Sequence, residues 1–214
     1  MDASERKENL IAHLKQEGYL KTPAVESAFR KIPRENFLPK ELEASAYSDH
    51  PLPIGSGQTI SAPHMVAIMT ELIEPKSTDT ILEIGAGSGY QAAILSTLVN
   101  KIYTIEFYPE LASLAKKNLS RTGIKNVEVI PADGSKGYPE KAPYDKIIVT
   151  CAIPMEVFSS LGKQLKESGI IVAPVGPAYG IQMLTTARKV KGSLKKKEYF
   201  GCVFVPLQPF PGKG

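Results

Sequence analysis

The spacing of apolar positions changes character once along this chain. Up to about residue 75 they recur at helical intervals, with Leu10, Ile11 and Leu14 on one face of "RKENLIAHLKQEG" and Gly18 as its stop. "TPAVESAFRKIP" predicts a second short helix, capped by Thr22, opened by Pro23 and ended by Pro33. The stretch from Pro39 to Ser61 is rich in Pro, Gly and Ser and predicts a long loop, and loops of that length in compact domains tend to carry function. "APHMVAIMTELI" then predicts an amphipathic helix.

From Thr80 the pattern switches to short apolar runs alternating with helical segments. Strands are predicted at 80–85, 101–106, 127–133, 144–150 and 169–176, with helices over "GYQAAILSTLV", "PELASLAKKNLSRTG" and "PMEVFSSLGKQL". Such alternation builds a parallel sheet covered on both faces, with ligands at the carboxyl ends of its strands. After the fifth strand only "PAYG" precedes the strand-like "IQMLTTARKV", and a basic turn leads into "KKKEYFGCVFVPL". Connections this short imply antiparallel pairing, because a parallel neighbour needs a crossover of about a dozen residues. The expected fold is therefore doubly wound: an α/β/α sandwich with a mostly parallel seven-stranded sheet, an antiparallel C-terminal end and short N-terminal helices. The last three strands should be sequential neighbours. A single domain over 1–214 is expected, with 1–61 as helical front end and loop and 62–214 as Rossmann-like core.

Composition narrows this picture. The 214 residues are 43% hydrophobic and 22% charged, enough for a sizeable core. No run of about 18 uncharged apolar residues occurs and the start, "MDASERKENL", is polar, so neither a membrane span nor a secretory signal is expected, which points to the cytoplasm. Cys151 and Cys202 lie in apolar runs and read as reduced thiols, and too few Cys and His are present to suggest a metal site. The net charge of +4 is mild. Six of the basic residues fall in "RKVKGSLKKK", where no aromatic interleaves, so a solvated hairpin tip is favoured over a nucleic-acid patch.

Candidate chemistry gathers at the strand ends. In "LEIGAGSGY" the glycines Gly85, Gly87 and Gly89 allow a tight turn and a close approach of backbone amides to a ligand. Their spacing is GxGxG, not the GxGxxG of dinucleotide sites, and Glu83 stands just before them. An acid there disfavours a pyrophosphate and suits an ammonium such as a methionine amino group. Glu106, ending the second strand, can accept from ribose hydroxyls, and Asp133 with Gly134 can meet an adenine amino group. Each acid also has a bland reading: a helix cap, a lysine partner, or the opening of the turn "ADGSKG". Their shared position favours a common adenosyl ligand.

"LEIGAGSGY", "YTIE" and "ADG" resemble the cofactor motifs of Rossmann-like S-adenosylmethionine-dependent methyltransferases. Within that class "PLPIGSGQTISAPHMVAIM" and "VFVPL" are similar to the protein-L-isoaspartate O-methyltransferases, which repair damaged aspartyl and asparaginyl residues; Val203 stands where bacterial relatives often carry arginine. The resemblance implies S-adenosyl-L-methionine as methyl donor, S-adenosyl-L-homocysteine as product, and damaged proteins or peptides containing L-isoaspartyl residues as partners, with no nucleic acid or membrane involved. The acceptor would be a carboxylate, already ionised at neutral pH, so alignment is needed and a general base is not. A lysine or arginine would hold that carboxylate but draw off its nucleophilicity, whereas hydroxyls hold it more gently. The uncharged "GSGQTISAPH" suits this, with Ser61 as the catalytic, orienting residue and Thr59 beside it. Ser61 can equally cap the following helix. The resemblance places His64 beside the cofactor, with no nearby acid expected to pair with it. Val203 and Val205 offer main-chain groups to a peptide. A methyltransferase acting on nucleic acid or a small molecule is the alternative, but "TCAIP" lacks the aromatic that stacks a flipped base.

Overall fold

The computed structural model describes residues 2–209. Helices α1 (Ala3–Gln16) and α2 (Pro23–Lys31) form the front end, capped by Asp2 and Thr22, whose side chains accept from the Glu5 and Val25 amides. Two 3-10 turns follow, Arg34–Phe37 and Lys40–Ser45. The segment expected to be loop then closes into a hairpin of β1 (Leu52–Gly55) and β2 (Gln58–Ile60). Ser56 and Gly57 both take positive φ at its tip, as the two-residue turn that matches strand twist requires.

Helix α3 (Pro63–Leu72) leads into the core, where β3 (Thr80–Ile84), α4 (Tyr90–Ser96), β4 (Lys101–Glu106), α5 (Pro109–Arg121), β5 (Val127–Pro131), β6 (Tyr144–Val149), α6 (Met155–Lys163), β7 (Leu165–Val175), β8 (Gln182–Val190) and β9 (Ser193–Cys202) follow in order. The sheet order is β5-β4-β3-β6-β7-β8-β9. Its first five members are parallel, and β7, β8 and β9 are sequential antiparallel neighbours, as the short connections imply. Strand β7 starts at Leu165, four residues before the expected 169, because an irregularity in its pairing with β6 admits the extra segment.

Both faces of the sheet are covered, so its central strands are apolar on both sides. Leu82, Ile84, Ile105, Ile147 and Ile171 pack with Val157, Phe158 and Leu161 of α6. Ile81, Ile102, Ile148 and Val172 pack with Met65 and Met69 of α3 and Ala92 and Leu95 of α4. Alternation along β3 puts Glu83 on the same face as Ile81, under a helical roof, which is why a carboxylate is fully buried there. Among the described residues no helix is long and apolar enough to cross a membrane.

Candidate active site

Three positive-φ glycines shape the turn from β3 into α4, and at Gly85 there is also no room for a side chain. At Gly85, φ is +95° and a Cβ would lie 2.5 Å from Thr150 Oγ1; at Gly89, φ is +91° and a Cβ would meet the Leu119 and Ala115 side chains. The amides of this turn differ from expectation. Those of Gly85 and Ala86 donate to the Ile105 carbonyl, that of Gly89 donates to the Ala86 carbonyl, and that of Gly87 donates to Glu106 Oε2 at 2.7 Å. The glycines therefore give the turn its shape and close approach, and these amides are already used inside the protein. A pyrophosphate, which needs free amides, is poorly served here.

Glu106 lines the cleft beside this turn. Its Oε1 accepts from the Tyr108 amide at 3.1 Å, so each oxygen has one backbone donor and keeps a second lone pair. Gly134 lines the same cleft, and a Cβ there would lie 2.6 Å from Ile84 Cγ2. Asp133 is not part of its lining: it is exposed, and its Oδ1 accepts from the Ser135 amide at 2.8 Å, which opens the turn "ADGSKG". Glu83 is enclosed, with only the buried Thr104 hydroxyl beside its carboxyl, and burial, opposed by Thr104 and helped by the nearby Glu106 charge, pushes its pKa up to about 8. No ammonium-binding face of Glu83 opens on the cleft.

A second, larger hollow of about 820 Å³ lies next to the first, within the ~300–1,000 Å³ range of ligand sites. Ser61, Ala62 and His64 line it from one side, and Tyr179, Phe200 and Val203 from the other. Ser61 does not cap α3: the N-cap residue is Ala62 and no side-chain cap bond forms. Thr59, Thr150, Val205 and Pro206 line both hollows and form their common boundary. A recess lined by Ser61, Gly85 and Gly87 joins the hydroxyl to the glycine turn.

His64 lines the larger hollow and not the cleft at the glycine turn, so it is placed beside Ser61. Contrary to expectation it has an acidic partner. Asp49 Oδ1 accepts from the His64 amide and lies 2.9 Å from its Nδ1. The "VFVPL" segment is also not a strand: β9 ends at Cys202, where Gln182 is paired, and the Phe204 amide donates to Gln182 Oε1. The Val205 carbonyl accepts from the Ala152 amide at 2.8 Å and keeps its second lone pair, Val205 lines the larger hollow, and Val203 is 73% exposed at the rim.

Sequence reasoning missed Thr150, whose hydroxyl donates to the Gly85 carbonyl at 2.6 Å and braces the turn, and also Asp49, Arg34 and Tyr179. A hydroxyl at the end of the fourth core strand, in "TCAIP", was the available signal for Thr150.

Comparison with known proteins adds the family. The family model "Protein-L-isoaspartate(D-aspartate) O-methyltransferase (PCMT)" matches residues 5–209. A protein-L-isoaspartate O-methyltransferase of Methanopyrus kandleri is 47% identical over 205 residues, covering 94% of this chain and 90% of that protein. One of Staphylothermus marinus is 50% identical over 207 residues, covering 92% of each. Among solved structures, a protein-L-isoaspartate O-methyltransferase superposes with a TM-score of 0.82 at 30% identity, covering 94% of this chain and 65% of that one, so this chain spans about two thirds of its length. A Plasmodium falciparum structure, described as such an enzyme in complex with S-adenosyl-L-homocysteine, superposes with a TM-score of 0.80 at 26% identity, covering 93% and 96%.

Proposed function

The chain belongs to the protein-L-isoaspartate(D-aspartate) O-methyltransferase family, and from that premise we infer that it transfers a methyl group from S-adenosyl-L-methionine to the free carboxylate of L-isoaspartyl residues in damaged proteins and peptides. The observation that carries this reading is the meeting of two hollows at Thr59, Thr150, Val205 and Pro206, one floored by the glycine turn and Glu106, the other by Ser61.

The cleft suits the donor. Its backbone packs closely at Gly85 and Gly134, where a Cβ would strike Thr150 and Ile84, Glu106 keeps lone pairs for hydroxyl groups, and the amides of Gly85, Ala86, Gly87 and Gly89 are spent internally, which fits an adenosyl ligand without phosphates. Gly85, Gly87, Glu106 and Gly134 would hold it. When bound, it supplies an electrophilic methyl on a sulfonium.

On the acceptor side the protein's task is placement. A carboxylate is ionised at neutral pH, and no proton has to be removed before its oxygen attacks. The Ser61 hydroxyl donates one neutral hydrogen bond, which fixes the oxygen while leaving its charge available; it supplies one part of an alignment of donor and acceptor that as a whole is worth ~7–11 kcal/mol. Thr59 and Thr150 form the boundary across which the methyl passes. In isoaspartate the main chain runs through the side-chain carbon and the former α-carboxyl is free. A hollow that takes the flanking chain along the Tyr179–Val203 rim would present that carboxyl alone to Ser61. Segments 1–61 and 62–214 act as one domain in this reading, because the hollow draws residues from both.

The ester so formed is attacked by the next backbone nitrogen, releasing methanol and giving a succinimide that hydrolyses partly to ordinary aspartate. Repeated incubation of an isoaspartyl peptide with the chain and S-adenosyl-L-methionine should convert it, by chromatography, into the aspartyl peptide. A peptide left unchanged while the donor is intact would refute the reading.

A further inference from the structure

Arg34 is fully buried at the start of the Arg34–Phe37 turn, yet most of its donors are unused. Nη2 donates to the Ser61 carbonyl at 2.9 Å, while Nε and Nη1 have no hydrogen-bond partner. The guanidinium carbon lies 4.9 Å from the centre of the Tyr90 ring, at the first position of α4 after the glycine turn. No carboxylate bonds to it: Asp49 is held by His64, and Glu35 accepts from the Tyr47 hydroxyl. Burial pulls the Arg34 pKa down, with Tyr90, Asp49 and Tyr47 opposing. Burying a cation with unsatisfied donors costs several kcal/mol, and an apolar side chain of similar size would avoid that cost.

We propose that Arg34 is a positioning residue for the methyl acceptor, holding the Ser61–Ala62 peptide from the protein interior so that the Ser61 hydroxyl and the Ala62 amide face the acceptor hollow. A trans peptide points its C=O and N–H in opposite directions, so drawing the Ser61 carbonyl inward onto Arg34 turns the Ala62 N–H outward. Ser61 and Ala62 both line that hollow. The neighbouring amides cannot substitute. Pro63 has none, that of His64 is taken by Asp49, and those of Met65 and Val66 donate back to the Ala62 carbonyl. The buried charge thus lies one peptide group away from the incoming carboxylate. It favours the arrival of the anion without gripping the oxygen that must attack. Its stacking on Tyr90 ties the Ser61 segment to the helix that follows the glycine turn, keeping the two hollows in register.

This inference rests on the isoaspartyl methyltransfer reading, and its test separates the two. Arg34→Met and Arg34→Lys are assayed with an isoaspartyl peptide at saturating S-adenosyl-L-methionine, alone and with Ser61→Ala, while calorimetric binding of S-adenosyl-L-homocysteine counts folded sites. Arg34→Met should lower kcat at least tenfold and Arg34→Lys less, with product affinity within about threefold of the parent. Combined with Ser61→Ala, the losses should fall short of their product, since both act through one peptide group. A merely structural role would reduce the folded fraction and leave kcat per folded site alone. Should Arg34→Met fail to fold, Arg34→Lys decides, with a loss of at least threefold in kcat expected. Values of kcat and KM within twofold of the parent, or fully multiplicative losses, overturn the proposal. A parent chain inactive on the peptide overturns instead the reading beneath it.

Discussion

Glu83 offers a stability measurement that depends on its burial and on no assumption about the reaction. Its carboxyl is enclosed under α3 and α4 with only the Thr104 hydroxyl beside it, and its pKa rises from 4.5 to about 8. A carboxyl whose folded-state pKa is raised contributes fully below its unfolded value, and that contribution is lost as pH climbs through the folded value. The window is therefore about pH 4.5 to 8, and at ~1.4 kcal/mol per pH unit the loss reaches about 5 kcal/mol across it. Glu83→Gln keeps the shape and removes the ionisation, while its buried amide, with only the Thr104 hydroxyl beside it, leaves donors unmet and costs ~1–3 kcal/mol. The variant should be less stable than the parent near pH 5 and more stable near pH 8. Other groups, including Asp79 with its own raised pKa, titrate in both proteins and cancel in the difference. Urea unfolding of the unliganded proteins, read by circular dichroism at half-unit steps, measures it. Parallel stability curves would show that Glu83 is not held neutral by burial.

Three further outcomes follow from the site. Ser61→Ala should leave S-adenosyl-L-homocysteine affinity nearly intact while lowering turnover tens-fold to about a thousand-fold, the range between an ordinary hydrogen bond and a preorganised donor at a reacting centre; steady-state kinetics beside calorimetry separates the two. Glu106→Ala removes the acceptor of the Gly87 amide as well as a ligand group, and should weaken cofactor binding by ~1.5–3 kcal/mol, roughly ten- to 150-fold in Kd by titration calorimetry. Gly85→Ala forces a Cβ to 2.5 Å from Thr150 Oγ1 at a φ that alanine rarely takes, so it should lower the unfolding midpoint and abolish measurable cofactor binding, whereas Thr150→Ser, which keeps the hydroxyl, should retain binding.

Much of the sheet was legible because connection length restricts strand pairing: four residues of "PAYG" and the Gly192 turn leave only antiparallel neighbours for β8 and β9. The hairpin of β1 and β2 was written in the sequence too, as Ser56–Gly57 between Ile54 and Ile60, but the surrounding Pro, Gly and Ser made it read as loop. The places of Gly85, Glu106 and Gly134 at the cleft followed from their positions at strand ends, whereas the enclosure of Glu83 and the use of the turn's amides inside the protein depend on helix packing and on the register of β3 against β4, which local sequence does not reveal. Asp49 was not visible as the partner of His64 because no periodicity links residues fifteen apart across a hairpin. Arg34 was the least legible, since charged side chains are mostly exposed and nothing local marks one that is not.

Transfer of a labelled methyl group to matched peptides, identical except for an isoaspartyl or an aspartyl residue at one position, tests the central claim most directly. The account predicts incorporation into the isoaspartyl peptide alone, released as methanol by mild base as an ester must be. Equal labelling of both peptides, or label that survives base, would contradict it.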